Sequence, residues 1–270
     1  MKLGISSYTF AWAVGLPGVT PAVPLKPLQL LEKARELGVG LVQFGSNLPL
    51  ERLPERDLRD VVKQAKSWDI DLELATEGID PRHLKDQIRF AKQIGAILLK
   101  TTPENPIGQV PLRTEISNCL RAVVPDLTSE KLSLAIDNSL IPAPELNELV
   151  GAIRSPWLGA AIDTAKPLAL AQGWQISVRV LGHRTLSLQI KDVTVEPEAH
   201  GMGFSVRGCP VGTGQLKVPW IMESFASLRL EPSVILESWT PAQKTLDETI
   251  ALEDDWAKQG VRYLRRFLTE

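Results

Sequence analysis

Cysteine is scarce in this chain: Cys119 and Cys209 are its only two, far apart and outside any C-x-x-C pair. Neither a disulfide framework nor a zinc ribbon can be built from them, and a reducing cytoplasm is the expected location. Histidine is almost as scarce, with His83, His183 and His200 sharing no metal-ligand spacing. Neither sign of charge dominates, since 30 Lys+Arg stand against 32 Asp+Glu; a bulk field that would hold a polyanion is missing, and nucleic acid is not an expected partner. No apolar run approaches the roughly 20 residues of a membrane span. Hydroxyl groups at Ser6, Ser7, Tyr8 and Thr9 interrupt the first apolar stretch, so neither a membrane nor a targeting segment is expected. A G-x-G-x-x-G turn after the first strand-like run, a P-loop, a nucleophile elbow and an H-E-x-x-H pair are absent as well, which removes the chemistries those motifs carry.

What the 270 residues do contain is a repeated unit. At 44% hydrophobic and 23% charged, the chain can bury a full core. Leu30, Leu31, Ala34 and Leu37 share one helix face and stop at Gly38, before the strand-like run 41–44. Leu58, Val61, Val62, Ala65 and Trp68 precede the run 70–74, and Leu84, Ile88, Ala91 and Ile94 stop at Gly95 before 97–99. Further apolar runs at 132–136, 158–162, 186–190 and 234–236, added to the first at 3–5, make eight strands, each with a helix to follow. Eight βα units in a chain of this size predict a (β/α)₈ TIM barrel, an α/β fold in one domain. The Gly-rich stretch 194–217 reads as a long irregular loop, and the amphipathic run Leu246 to Leu268 should pack outside the barrel.

In such a barrel the chemistry sits at the C-terminal ends of the strands. Those ends carry Asp137, Asp163, Gln189 and Glu237, the first three at equal intervals along the chain. Three converging carboxylates repel one another unless a cation neutralises them, which points to a divalent metal; oxygen ligands favour Mn²⁺ or Mg²⁺ over Zn²⁺. The plainer alternative is that Asp137 and Asp163 cap the helices that follow. Lys191, on the same strand face as Gln189, reaches either a substrate oxygen or an inward acid. Lys166 and Lys100 are candidate substrate contacts, with a solvated loop position and a barrel-floor ion pair as their respective alternatives. Arg207 in the long loop could clamp an anion, His200 could move a proton, and Trp12 and Trp239 could form an apolar wall; structural or surface roles compete for each.

The motifs Leu134-Ala-Ile-Asp-Asn138, Ala161-Ile-Asp-Thr-Ala165, Gln189-Ile-Lys-Asp192, Pro210-Val-Gly-Thr-Gly214 and Ile235-Leu-Glu-Ser238 resemble, in type and order, those of the xylose isomerase-like TIM-barrel superfamily, the sugar phosphate isomerase/epimerase group. The resemblance spans residues 1–270. It implies one divalent metal held by Asp137, Asp163, Gln189 and Glu237, with Glu237, Asp137 and Lys191 as catalytic groups. Three positions depart from the pattern: Asp137 stands where Glu is usual, Gln189 where His is usual, and Thr213 in the middle of a usual Gly-Glu-Gly. The retracted carboxylate, shorter by roughly one 1.5 Å bond, and the neutral amide both imply a weaker metal site. An abasic-site endonuclease of the same barrel type would need a His-rich zinc site and a basic face, and neither is present.

The segment His200-Gly-Met-Gly-Phe204 through Gly214 is similar to a subgroup of that superfamily that includes decarboxylases of 3-oxo sugar acids. The expected function is therefore a metal-dependent isomerase or epimerase of a small carbohydrate or sugar phosphate, working through an enediolate. The alternatives are a metal-dependent 3-oxo sugar acid decarboxylase and a non-catalytic carbohydrate-binding barrel, in which Asp163 and Glu237 pair with Lys191 or Lys166. A small carbohydrate is the expected partner, and a homo-oligomer remains open.

Overall fold

Helix stops and strand alternation in this sequence are local features, and the fold follows from them. The helices Pro27–Leu37 and Pro81–Ile94 each open on a proline, which suits the first turn because its missing N–H has no partner there. They end at Gly38 (φ 65°) and Gly95 (φ 72°), left-handed positions that a Cβ would strain. In a computed structural model describing residues 1–105 and 107–268, the strands between such helices close into a parallel barrel.

The strands are β1 (Leu3–Ser6), β2 (Leu41–Phe44), β3 (Asp71–Glu77), β4 (Leu98–Thr102), β5 (Ser133–Asp137), β6 (Leu158–Asp163), β7 (Thr185–Ile190), β8 (Asp192–Pro197), β9 (Phe204–Cys209) and β10 (Ser233–Leu236). The barrel runs β1-β10-β7-β6-β5-β4-β3-β2, eight strands as the sequence pattern predicts. Period-two alternation sorts the side chains. On β5, Leu134 and Ile136 join the large core between barrel and helices, whereas Ala135 belongs to a separate small cluster with Leu98 and Ala161. Asp137, two residues beyond Ala135, shares its face and points inward with it.

Two elements differ from the expectation. β4 extends to Thr102, so Lys100 lies inside the strand rather than at its end. The stretch expected as an irregular loop instead contains most of an antiparallel hairpin, β8 paired with β9 from Asp192↔Cys209 to Pro197↔Phe204. Alternating Val193, Val195 and Val206 favour that pairing, and the glycines counted as loop residues supply its turn. The helix Leu246–Leu264 packs outside the barrel as expected. Its first turn is fixed by a capping box, in which Thr245 Oγ1 accepts from the Glu248 amide and Glu248 Oε2 from the Thr245 amide. No described helix is long and apolar enough to cross a membrane.

Candidate active site at the strand ends

Strands β6, β7 and β10 are neighbours, and the chain just beyond their ends brings Asp163, Lys191 and Glu237 together. The ladder continues past the strands: the Glu237 amide donates to Ile190 O at 3.0 Å and the Thr164 amide to Gln189 O at 3.1 Å. Thr164 Oγ1 then accepts from the Lys191 amide at 2.9 Å and donates to its carbonyl at 2.8 Å, which fixes the Lys191 backbone. From that anchor Lys191 Nζ reaches both Asp163 Oδ2 and Glu237 Oε2, each at 2.5 Å. The remaining carboxylate oxygens also have donors. Asp163 Oδ1 accepts from the Ala165 and Lys166 amides, the capping role that its sequence context allowed, and Glu237 Oε1 accepts from Ser6 Oγ at 3.1 Å.

Asp137 is held by a different pair. Lys100 Nζ lies 2.9 Å and Lys166 Nζ 3.5 Å from its Oδ2, and its Oδ1 has no hydrogen-bond partner. Gln189 donates from Nε2 to Ser187 Oγ at 2.9 Å, leaving Oε1 buried and unpartnered. Burial disfavours the charged forms of Asp137, Asp163, Lys166 and Lys191, but their ion pairs outweigh it. Lys191 and Lys166 hold the Asp163 carboxyl well below its ordinary range, and Lys100 and Lys166 lower that of Asp137. In return Asp163 and Glu237 raise Lys191, and Asp137 and Asp163 raise Lys166. The cluster thus holds four carboxylate–ammonium contacts, two on Asp137 and two on Lys191.

Above them lies a cavity of about 480 Å³, and its lining decides which groups a ligand meets. Lys100, Lys166, Lys191 and Glu237 are on its wall, with Tyr8, Trp12, Glu77 and Trp239; Asp137, Asp163 and Gln189 lie beneath, out of its reach. The Trp12 indole is held by Nε1 donating to Thr240 O at 2.8 Å, and Lys191 Nζ stands 6.0 Å from the Trp239 ring centroid. Arg207 and His200 are not brought to this wall. Both are exposed on the β8–β9 hairpin, where His200 Nδ1 accepts from the Met202 amide at 3.3 Å in the turn.

The expected metal ligands were tested against this arrangement. Asp137, Asp163, Gln189 and Glu237 do not face a shared space, because the Lys191 ammonium stands between Asp163 and Glu237 and the Lys100 and Lys166 ammoniums cover Asp137. Of the four expected ligands, only Asp137 Oδ1 and Gln189 Oε1 are left without partners, and no carboxylate oxygen of Asp163 or Glu237 is free to meet a cation. No group of three or more His, Cys, Asp or Glu among the described residues is arranged to hold an ion. As arranged, the residues do not fit a divalent metal.

Sequence reasoning missed two groups. Ser6, at the end of β1, orients Glu237. Glu253, on the buried stripe of the C-terminal helix, accepts from the Trp12 and Ala13 amides at 3.0 and 3.1 Å and so holds the short helix carrying Trp12. Ser6 could have been found as a polar strand end, whereas Glu253 carries no local signal.

The model of the family described as xylose isomerase-like TIM barrel matches residues 29–267. Over 267 residues the chain is 27% identical to a 3-oxo-isoapionate decarboxylase of Pectobacterium atrosepticum, covering 98% of this chain and 95% of that protein. Its fold is similar to that of D-psicose 3-epimerase from Clostridium cellulolyticum H10 solved with D-tagatose (TM-score 0.75, 14% identity, 100% of both chains). It is similar also to a xylose isomerase-like TIM barrel protein from Mycobacterium smegmatis in complex with magnesium (TM-score 0.71, 12% identity, 97% of both chains). A third likeness is to the IOLI protein with a bound zinc atom (TM-score 0.72, 15% identity, 100% of both chains). At these identities the likeness to solved structures concerns the fold.

Proposed function

The chain belongs to the xylose isomerase-like TIM-barrel family, and on that premise we propose that it decarboxylates a small 3-oxo sugar acid. This places the decarboxylase ahead of the isomerase or epimerase that the strand-end motifs alone favour. The observation that carries the reading is the cavity wall: three ammonium groups, Lys100, Lys166 and Lys191, face the ligand against two carboxylates, Glu77 and Glu237, while Asp137 and Asp163 are buried beneath them. Such a wall suits an anionic substrate. The relative named for 3-oxo-isoapionate decarboxylation, which matches along nearly its whole length, supports the same substrate class.

The chemistry follows from charge. Loss of CO₂ from a 3-oxo acid breaks the bond between C1 and C2, and the electron pair moves through C2 onto the 3-oxo oxygen as an enolate. No base is required for that step, only a fixed positive charge where the oxygen becomes negative. Lys191 and Lys100, nearly buried, supply such charge without reorganising. Return of a proton to C2 then completes the ketone; the proton comes from solvent on the side of Lys166, the most exposed of the three lysines at 31%. An imine route through a lysine is disfavoured, because Lys191 and Lys166 are held as ammonium ions with no free electron pair. Epimerisation needs a pair of carboxylate bases about a C–H bond; Glu237 is on the wall, but its expected counterpart Asp137 is weakened as a base and out of reach, as is Asp163. Two structural relatives are described with magnesium or zinc; a divalent metal in this chain would first require Lys191 to leave its carboxylates.

The test is direct. Purified protein is given a panel of four- to six-carbon 3-oxo sugar acids in D₂O, with CO₂ release and deuterium on the former C2 as readouts, and ketoses in parallel. Release of CO₂ is expected, with one deuterium on the product carbon that was C2 of the substrate, now C1 of the product. Exchange of a ketose C–H without CO₂ would return the reading to epimerase; saturable sugar-acid binding without turnover would leave the non-catalytic barrel, whose predicted pairing of Asp163 and Glu237 with Lys191 is the one observed.

A further inference from the structure

We infer that the Lys191 ammonium occupies the place of a divalent cation, so that the site works without a metal and becomes a metal site when Lys191 is removed. Lys191 extends from the strand between those that carry its two partners, and its Nζ lies 2.5 Å from an oxygen of each. A cation bridging the same two carboxylates would need that position. The cluster is also balanced: Asp137, Asp163 and Glu237 contribute three negative charges, and Lys100, Lys166 and Lys191, in direct contact with them, three positive ones. A divalent ion added to this set would leave two uncompensated positive charges in a buried environment, where they are poorly screened.

The surrounding contacts lock the arrangement. Asp163 Oδ1 is committed to two backbone amides, Glu237 Oε1 to Ser6, and the Lys191 backbone to Thr164 on both sides of its peptide. Losing the Lys191 ammonium would free Asp163 Oδ2 and Glu237 Oε2 together and give the cluster a net charge of −1. On the strands flanking β6, Asp137 Oδ1 and Gln189 Oε1 are buried without hydrogen-bond partners. The ammonium's action on an enolate rests on the proposed decarboxylation; its place among the carboxylates does not, and the two are tested separately.

Metal content by mass spectrometry, and thermal unfolding with and without about 1 mM Mn²⁺ or Mg²⁺, are measured for the wild type, Lys191→Ala and Lys191→Met. Ligands that bind only the folded state raise Tm, so the comparison needs no substrate. The wild type is expected to carry no stoichiometric metal and to show no Tm rise, whereas a folded Lys191 variant gains a saturable Mn²⁺ site and a higher Tm. One equivalent of metal retained by the wild type, a metal-induced Tm rise in it, or a folded variant that gains no site each overturns the inference. Because the wild-type arm stands alone, misfolding of both variants leaves it decisive. CO₂ release that requires added metal would defeat this inference and leave the decarboxylation intact; a metal-free protein that releases no CO₂ would do the reverse.

Discussion

Replacing Glu73 with Gln should make the protein more stable, and by an amount that depends on pH. Glu73 lies in β3 at 1% exposure, its Oε2 accepting from Gln43 Nε2 at 2.8 Å. Burial pushes its carboxyl up to about 7 from 4.5; the hydrogen bonds of Gln43 and Ser233 and the charge of Lys100 offset only part of that rise, and Asp71 adds to it. Because the folded value is the higher, folded and unfolded chains bind the proton equally at low pH, and the folded state is penalised as pH rises from about 4.5 through about 7. At 1.36 kcal/mol per pKa unit, the full penalty is about 3 kcal/mol, of which about 2.5 kcal/mol develops between pH 5 and pH 8. Gln43 keeps an acceptor in the Gln variant while the titration disappears. Urea unfolding of both proteins at pH 5, 6, 7 and 8 should show the variant's advantage growing by that amount. The difference between proteins is the quantity to read, since Glu253, also raised to about 7 by burial, contributes equally to both and cancels. An advantage that stays flat across this range, or shrinks as pH rises, would refute the reasoning.

The barrel was legible because hydrophobic period is a local quantity: Leu84, Ile88, Ala91 and Ile94 mark a helix face wherever the helix lies, and Gly95 ends it. The same locality made Asp137, Asp163 and Glu237 legible, since strand order places strand ends at one level. Their charge partners were not fixed by it. A lysine nitrogen sits at the end of a four-carbon stem, so period shows only that Lys191 faces inward and leaves a salt bridge and a substrate contact equally open. The sheet order supplies the salt bridges by setting Asp163 and Glu237 on either side of it, while Lys191 also lines the cavity. Arg207 and His200 were misplaced for another reason. Read as loop residues they were free to fold over the site, but pairing of Thr194 with Arg207 commits the segment to a hairpin on which both are exposed and neither lines the cavity. Glu253 could not be found at all, because a charged residue on an apolar helix stripe looks like a break in the pattern until the amides it accepts from, more than two hundred residues earlier, are in view.

Two further predictions concern buried carboxylates and can be read without knowing the substrate. Lys100→Met removes the closer of the two ammoniums on Asp137, whose Oδ1 is already unpartnered; breaking a buried pair from one side costs about 3–5 kcal/mol, and adding Asp137→Asn should recover most of it in urea unfolding, whereas additive losses would contradict a direct pair. Glu253→Gln tests whether the C-terminal helix sets the cavity wall. The Glu253 carboxylate gives one oxygen to the Trp12 amide and the other to the Ala13 amide, and an amide side chain has only one oxygen to offer. One buried N–H is then left facing an NH₂ group, a loss of about 1–3 kcal/mol. Because the helix Ala11–Val14 is a single turn with no side-chain cap of its own, that loss falls locally, and Trp12 loses the support that keeps its indole on the wall. Hydrogen exchange should accelerate at the Trp12 and Ala13 amides more than in the barrel strands, and KM should rise with little change in kcat. Unchanged protection at Trp12, in a variant that is nonetheless destabilised, would mean that Glu253 supports the helix it belongs to and not the cavity.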